Sequence, residues 1–297
     1  MKLFNFYKPK WGGALLLAVI TMAGQLLGAF AWIIQLVIEG LIRGERPAYS
    51  LDSMNMLLVY VVSFIPVAFF IWRRSVTFKE RGEAPVPLNA PQFGSLNVFA
   101  VIGLVLLLTF CVIVLIEPIE NILPESDALE QIFNMIRKHP VNTALAVCIA
   151  APVLEEIVCR GYMMRGMLQY MKPWQAIAIS AFLFAAIHGN LAQGVTAFIL
   201  GILLGWIYYR TGSLLMSMMI HFAVNTSSTM VALFASMPED ASLQSIMGNT
   251  HPEWDYYLLL GFCAVLLVAI VWILHKNLPS STSLKPLCPD PVAPAEN

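Results

Sequence analysis

Eight apolar runs succeed one another along this chain of 297 residues, near 13–38, 55–72, 96–118, 142–168, 174–188, 191–209, 213–236 and 255–275. Crossing about 30 Å of hydrocarbon takes roughly 20 residues of helix. In lipid only helices and closed barrels satisfy their own backbone polar groups. The fifth run has only 15 residues, but its tightly spaced neighbours support it as a helix. The expectation is an all-α polytopic membrane protein of eight helices, with seven and a re-entrant segment as the alternative. Composition agrees: 59% of the residues are hydrophobic, 12% are charged and the mean hydropathy is +0.74. A soluble domain could not keep that much apolar surface dry. One membrane domain is expected over 1–278, with its motif-bearing core at about 142–236. The Pro- and Ser-rich stretch 279–297 reads as a disordered cytoplasmic tail.

Charge placement orients the helices. With the N-terminus inside, the cytoplasmic segments hold Lys2, Lys8, Lys10, Arg73, Arg74, Lys79, Arg81, Arg165, Lys172, Arg210, Lys276 and Lys285. The outer segments hold only Arg43, Arg46, Arg137 and Lys138. The asymmetry places both termini in the cytoplasm, and a bacterial inner or plasma membrane is the expected setting. The basic start leads into a long apolar run without a cleavage signature, so it reads as an uncleaved first span. Arg73–Phe93 reads as a cytoplasmic loop. Trp11, Trp72, Trp174, Tyr208, Tyr209, Tyr256 and Tyr257 read as interfacial anchors. The net charge is −1 and no basic patch is clustered, so no nucleic-acid partner is expected. The five cysteines have neither metal spacing nor a disulfide framework.

Few strongly polar side chains remain inside the spans: Glu155, Glu156, Arg160, His188, His221 and Asn225, all on the fourth, fifth and seventh. Ionisable groups at bilayer depth are costly and mark function. Glu156 and Arg160 stand at i,i+4 and can form an ion pair. Glu155 lies about 100° around the helix with Val158 and Cys159 one turn on, so it has no local cation. That makes Glu156 the structural carboxylate and Glu155 the reactive one, a candidate general base. His221 and Asn225 share a face at i,i+4, and His188 follows Phe184 by four residues, just before a Gly189-Asn190 stop. A carboxylate and a histidine could hold and deprotonate a water. A second histidine and an asparagine could stabilise an oxyanion. By helical rise, His221 lies toward the cytoplasmic end of its helix and His188 toward the outer end of the fifth. The two meet only if the fifth helix starts deep or is tilted. Pro152 either opens a wet pocket beside Glu155 or only kinks or starts the helix. Gly201-x-x-x-Gly205 reads as helix packing.

Glu155-Glu156-x-x-x-Arg160, Phe184-x-x-x-His188 and His221-x-x-x-Asn225 resemble the three motifs of the CPBP family of intramembrane peptidases. That family includes CAAX proteases of the Rce1 type, bacteriocin-processing enzymes and the Abi proteins. The resemblance covers roughly 145–230. It implies an all-helical fold of about eight spans and a glutamate-dependent endopeptidase, often labelled a metalloprotease. Glu155 and His188 would activate water, His221 and Asn225 would form the oxyanion hole, and Glu156, Arg160 and Phe184 would support the site. No cofactor is required by this chemistry. If a zinc ion took part, Glu155, His188 and His221 would be its ligands, although the chain has no His-Glu-x-x-His helix motif. The partners implied are a peptide or protein substrate, lipidated or not, and the bilayer itself. CAAX-type processing, leader-peptide processing and self-immunity all fit. Two further readings use the same polar site: a non-catalytic membrane scaffold, and a proton-coupled transporter.

Overall fold

The computed structural model describes residues 2–44, 46, 54–123, 127–234, 243, 244, 247 and 253–278. The expected tail at 279–297 lies outside the described residues. Within them there are helices and no strands. The principal helices are α1 (Trp11–Arg43), α2 (Met56–Glu80), α3 (Val98–Glu120), α4 (Asp127–Lys138), α5 (Pro140–Met167), α6 (Pro173–Ile187), α7 (Leu191–Thr211), α8 (Leu214–Phe234) and α9 (Glu253–Asn277). Seven of these are long and apolar enough to cross a membrane. The eighth expected span is α6, with 15 residues. The chain is an all-α polytopic membrane protein, as its apolar runs require.

At 1.5 Å per residue α6 is only about 22 Å long. Its end is met from the side: the Gln25 amide, near the middle of α1, donates to the Ile187 carbonyl at 3.0 Å. The last carbonyls of a helix have no intrahelical partner, and here one is satisfied within the bundle. Thus α6 stops against the middle of α1 rather than beside its far end. α7 then returns along α6, and Gly201 and Gly205 allow the approach, as expected of them. A Cβ at Gly201 would lie 3.0 Å from Ala181, and one at Gly205 3.2 Å from Ile177. The pairing of α1 with α2 is tighter. A Cβ at Gly24 would fall 2.0 Å from the Ser63 carbonyl oxygen, and one at Gly28 2.4 Å from that of Val59.

Several sequence expectations change here. Arg73 to Glu80 is not loop but the last turns of α2. The chain after it forms an ordered strap across one end of the bundle. Val86 N–H donates to the Asn5 carbonyl at 2.9 Å, and Ala90 N–H to that of Gly212 at 2.9 Å. Tyr208 and Tyr256 are not interfacial anchors: both are buried, Tyr208 being 0% and Tyr256 3% exposed. The Tyr208 hydroxyl donates to the Leu88 carbonyl at 2.8 Å, and the Tyr256 hydroxyl to Glu117. Arg165, counted as a cytoplasmic charge, is fully buried. It donates to the carbonyls of Gly161, Asn5, Tyr7 and Val86, tying α5 to the N-terminal segment and the strap. The amphipathic α4 lies where an outer loop was expected, with Met135 and Ile136 buried. Cys111, Cys148, Cys159 and Cys263 are buried free thiols, as small core hydrophobes should be.

Candidate active site

Glu155 and Glu156 end a six-residue α-helical segment, Ala151–Glu156, held between two π-helical stretches, Leu145–Ala150 and Ile157–Met164. Pro152 has no N–H to return to the carbonyl of Cys148, one α-turn back. The register before it is wider, and the Ala151 N–H reaches the Ala146 carbonyl five residues back. Such wide turns often mark functional sites. Pro152 therefore stands in the first turn of the α-helical segment, so the helix-start reading holds, and that start is also a change of helical register.

The local pairing is the one helical spacing assigns. Arg160 Nη1 donates to Glu156 Oε1 at 2.8 Å, and both side chains are fully buried. A buried guanidinium needs further acceptors. Arg160 Nη2 donates to the Gly201 carbonyl at 3.0 Å, and the guanidinium carbon lies 4.6 Å from the centre of the Phe184 ring. A Cβ at Gly201 would come within 3.4 Å of that Nη2, so the glycine also leaves room for the arginine.

His221, brought in by α8, lies between the two carboxylates. Its Nδ1 is 3.1 Å from Glu156 Oε1, and its Nε2 is 3.7 Å from Glu155 Oε2. Glu156 can only accept while it is ionised, so Nδ1 carries a proton. His188 stands at the end of α6 with Nδ1 2.8 Å from the Phe184 carbonyl. A carbonyl also only accepts, so this Nδ1 is a donor and the neutral ring keeps an acceptor at Nε2. Phe184 joins the two imidazoles. Its ring is edge-on to His188 at 5.0 Å and to His221 at 5.6 Å. The depth conflict thus resolves: α6 ends at the level where His221 sits.

Asn225, one turn beyond His221, donates Nδ2 to the Val147 carbonyl at 2.8 Å, within the first π-helical stretch. Its amide has a second N–H. The structure gathers Glu155, Glu156, Arg160, Phe184, His188 and His221 around one ring and one ion pair, with Asn225 beside them. It does not join His188 directly to Glu155: among the described residues no hydrogen bond or ion pair links them. The imidazole next to Glu155 belongs to His221.

Glu155 also has a partner that local spacing did not supply. The Tyr60 hydroxyl of α2 donates to Glu155 Oε1. Sequence reasoning missed this residue because only the charged, histidine and asparagine side chains within the spans were weighed as site candidates. The available signal was a phenol inside an apolar run, since a buried Tyr O–H usually finds a partner. Glu155 Oε2 is buried and has no hydrogen-bond partner among the described residues. The possible metal ligands do not assemble: among the described residues no group of three His, Cys, Asp or Glu side chains could hold a metal ion. Glu155, His188 and His221 therefore do not fit as a ligand set.

Residues 137–227 match a family model described as type II CAAX prenyl endopeptidase Rce1-like. No curated protein and no solved structure matches the chain. The match covers the three motifs and α5 to most of α8, and it agrees with the resemblance drawn from them. Residues 137–227 are thus similar to a CAAX-protease family model, and they lie within an integral membrane protein.

Proposed function

We propose that this chain, whose residues 137–227 carry an Rce1-like domain, is a glutamate-dependent intramembrane endopeptidase. The observation that carries the reading is the difference between the two glutamates. Each leaves one buried oxygen without a hydrogen-bond partner among the described residues, but Glu156 is paired with the Arg160 guanidinium at 2.8 Å, whereas Glu155 has no guanidinium on it and holds its Oε2 3.7 Å from His221 Nε2. A desolvated carboxylate with a free oxygen is placed to take a proton from water.

The step runs as follows. A water held by His188 Nε2 and Glu155 gives a proton to Glu155 as its oxygen bonds to the scissile carbonyl carbon. The step calls for a donor at His221 Nε2. It and the free N–H of Asn225 stabilise the tetrahedral oxyanion. Collapse breaks the C–N bond, and the proton on Glu155 passes to the departing amine. Glu156, Arg160 and Phe184 hold the two imidazoles in place. The substrate is a peptide or protein, lipidated or not. The Lys/Arg asymmetry supports cytoplasmic termini.

The test is cleavage of prenylated and unprenylated peptides with CAAX-type ends by purified protein in nanodiscs. Glu155→Gln is expected to lower kcat by about 10²- to 10⁴-fold. Equal cleavage by the variant and the wild type would remove Glu155 as the base. If the wild type cleaves neither peptide class, nor leader peptides, the endopeptidase reading fails.

A further inference from the structure

We infer that Tyr60 is a positioning residue for Glu155: its hydroxyl occupies Oε1 and so determines that Oε2 faces His221 and takes the proton. The inference rests on the peptidase reading above and extends the site to a helix outside the matched segment.

A glutamate carboxylate turns easily about its last bond, where the torsional preference is broad. Nothing on α5 itself fixes Glu155, since its neighbours one turn on are Val158 and Cys159. Tyr60 supplies the missing constraint by donating to Oε1. The other oxygen is then left buried, without a hydrogen-bond partner among the described residues and 3.7 Å from His221 Nε2. Two equivalent oxygens become one bound and one reactive.

Tyr60 is itself well fixed. Its ring stacks on Phe64 at 5.6 Å with the planes 22° apart. The start of α2 is tied to the start of α5, where Asn142 Nδ2 donates to Asn55 Oδ1 at 2.8 Å and Leu57 N–H donates to Asn142 Oδ1 at 3.3 Å. α2 and α5 are thus joined both at their ends and at the reactive carboxylate. In the reaction Tyr60 neither gains nor loses its proton. It donates throughout.

Tyr60→Phe removes only the hydroxyl and keeps the stack on Phe64. It is expected to lower kcat by about 10- to 100-fold, the equivalent of one hydrogen bond to a charged group, with KM within about twofold. Combined with Glu155→Gln it should add no further loss, because both act through one group. An unchanged kcat in Tyr60→Phe, with an active wild type, overturns the inference and leaves the peptidase reading standing. A raised KM at unchanged kcat also overturns it, since Tyr60 would then be a substrate contact. A second measurement needs no turnover. In protein carrying ¹³C-labelled tyrosine, the Tyr60 Cζ resonance, assigned by its absence in Tyr60→Phe, should move in Glu155→Gln. A resonance that stays in place overturns the contact. A resonance that moves in a protein that cleaves nothing overturns the peptidase reading, and the positioning role with it.

Discussion

Glu156 is held from two sides, by the Arg160 guanidinium at 2.8 Å and the His221 ring at 3.1 Å, and is fully buried. Removing it leaves Arg160 buried with its Gly201 carbonyl and Phe184 ring but no anion. Breaking a buried pair by deleting one partner is strongly destabilising, by about 3–5 kcal/mol. Glu156→Ala is therefore expected to lose both stability and activity. Glu155→Gln keeps its size and an acceptor for Tyr60, and should stay within about 1 kcal/mol of wild type while losing turnover. Reversible unfolding in mixed detergent micelles measures both. If Glu155→Gln proves the more destabilising of the two, the division of labour between the glutamates is wrong. The Glu156–Arg160 pairing was legible in the sequence because i,i+4 is a local relation that any helix enforces. The Tyr60 contact was not. It depends on how α2 is rotated against α5, and an apolar run carries little record of its own rotation.

At the scale of helices, the site depends on spacings set by small residues. α2 can bring Tyr60 to Glu155 only because Gly24 and Gly28 let it lie against α1. Gly28→Val would drive a side chain into the Val59 carbonyl, one residue from Tyr60. Overpacking of this kind costs about 1–3 kcal/mol, and the backbone shift should carry Tyr60 away and reduce kcat as well. Gly12→Ala is the internal control. It lies on the same helix with nothing within 4 Å of the added carbon, and should be neutral or gain up to about 1 kcal/mol. Thermal unfolding and cleavage rates of the two variants settle the point, and comparable losses in both would show that the α1–α2 contact is not the cause. The eight apolar runs gave every principal helix but α4, and their order, since hydropathy over about 20 residues is a strong signal. The Gly201-x-x-x-Gly205 face was read correctly, yet the closer Gly24 and Gly28 contact was passed over. The π-helical flanks of the glutamates left only Pro152 as a trace. Tyr208 and Tyr256 were misplaced because hydropathy locates a residue along the membrane normal but not around the bundle axis.

For the whole molecule, the end of the bundle opposite α4 is fastened by cations on backbone carbonyls. Arg165 ties α5 to Asn5, Tyr7 and Val86, and Arg210 ties α7 to His275 and Leu278 at the end of α9. Ser95 Oγ donates to Asn277 Oδ1 at 2.8 Å, so the start of α3 joins them. The N-terminal segment, the strap and the end of α9 therefore lie on one side. That arrangement predicts an even number of passes, with α6 counted as one of them although it is too short to span alone. A re-entrant α6 would put the two ends on opposite sides. Single cysteines placed at Asn5 and Asn277, in a background whose native cysteines are replaced by alanine or serine, test this with a membrane-impermeant thiol reagent on sealed vesicles of known orientation. Both sites should label from the same side of the sealed vesicles. Labelling from opposite sides would remove α6 as a pass. Arg165→Ala should raise the labelling rate at Asn5 more than at Asn277, because only the first is held by that guanidinium, and a uniform rise at both would mean that the bundle loosens as a whole.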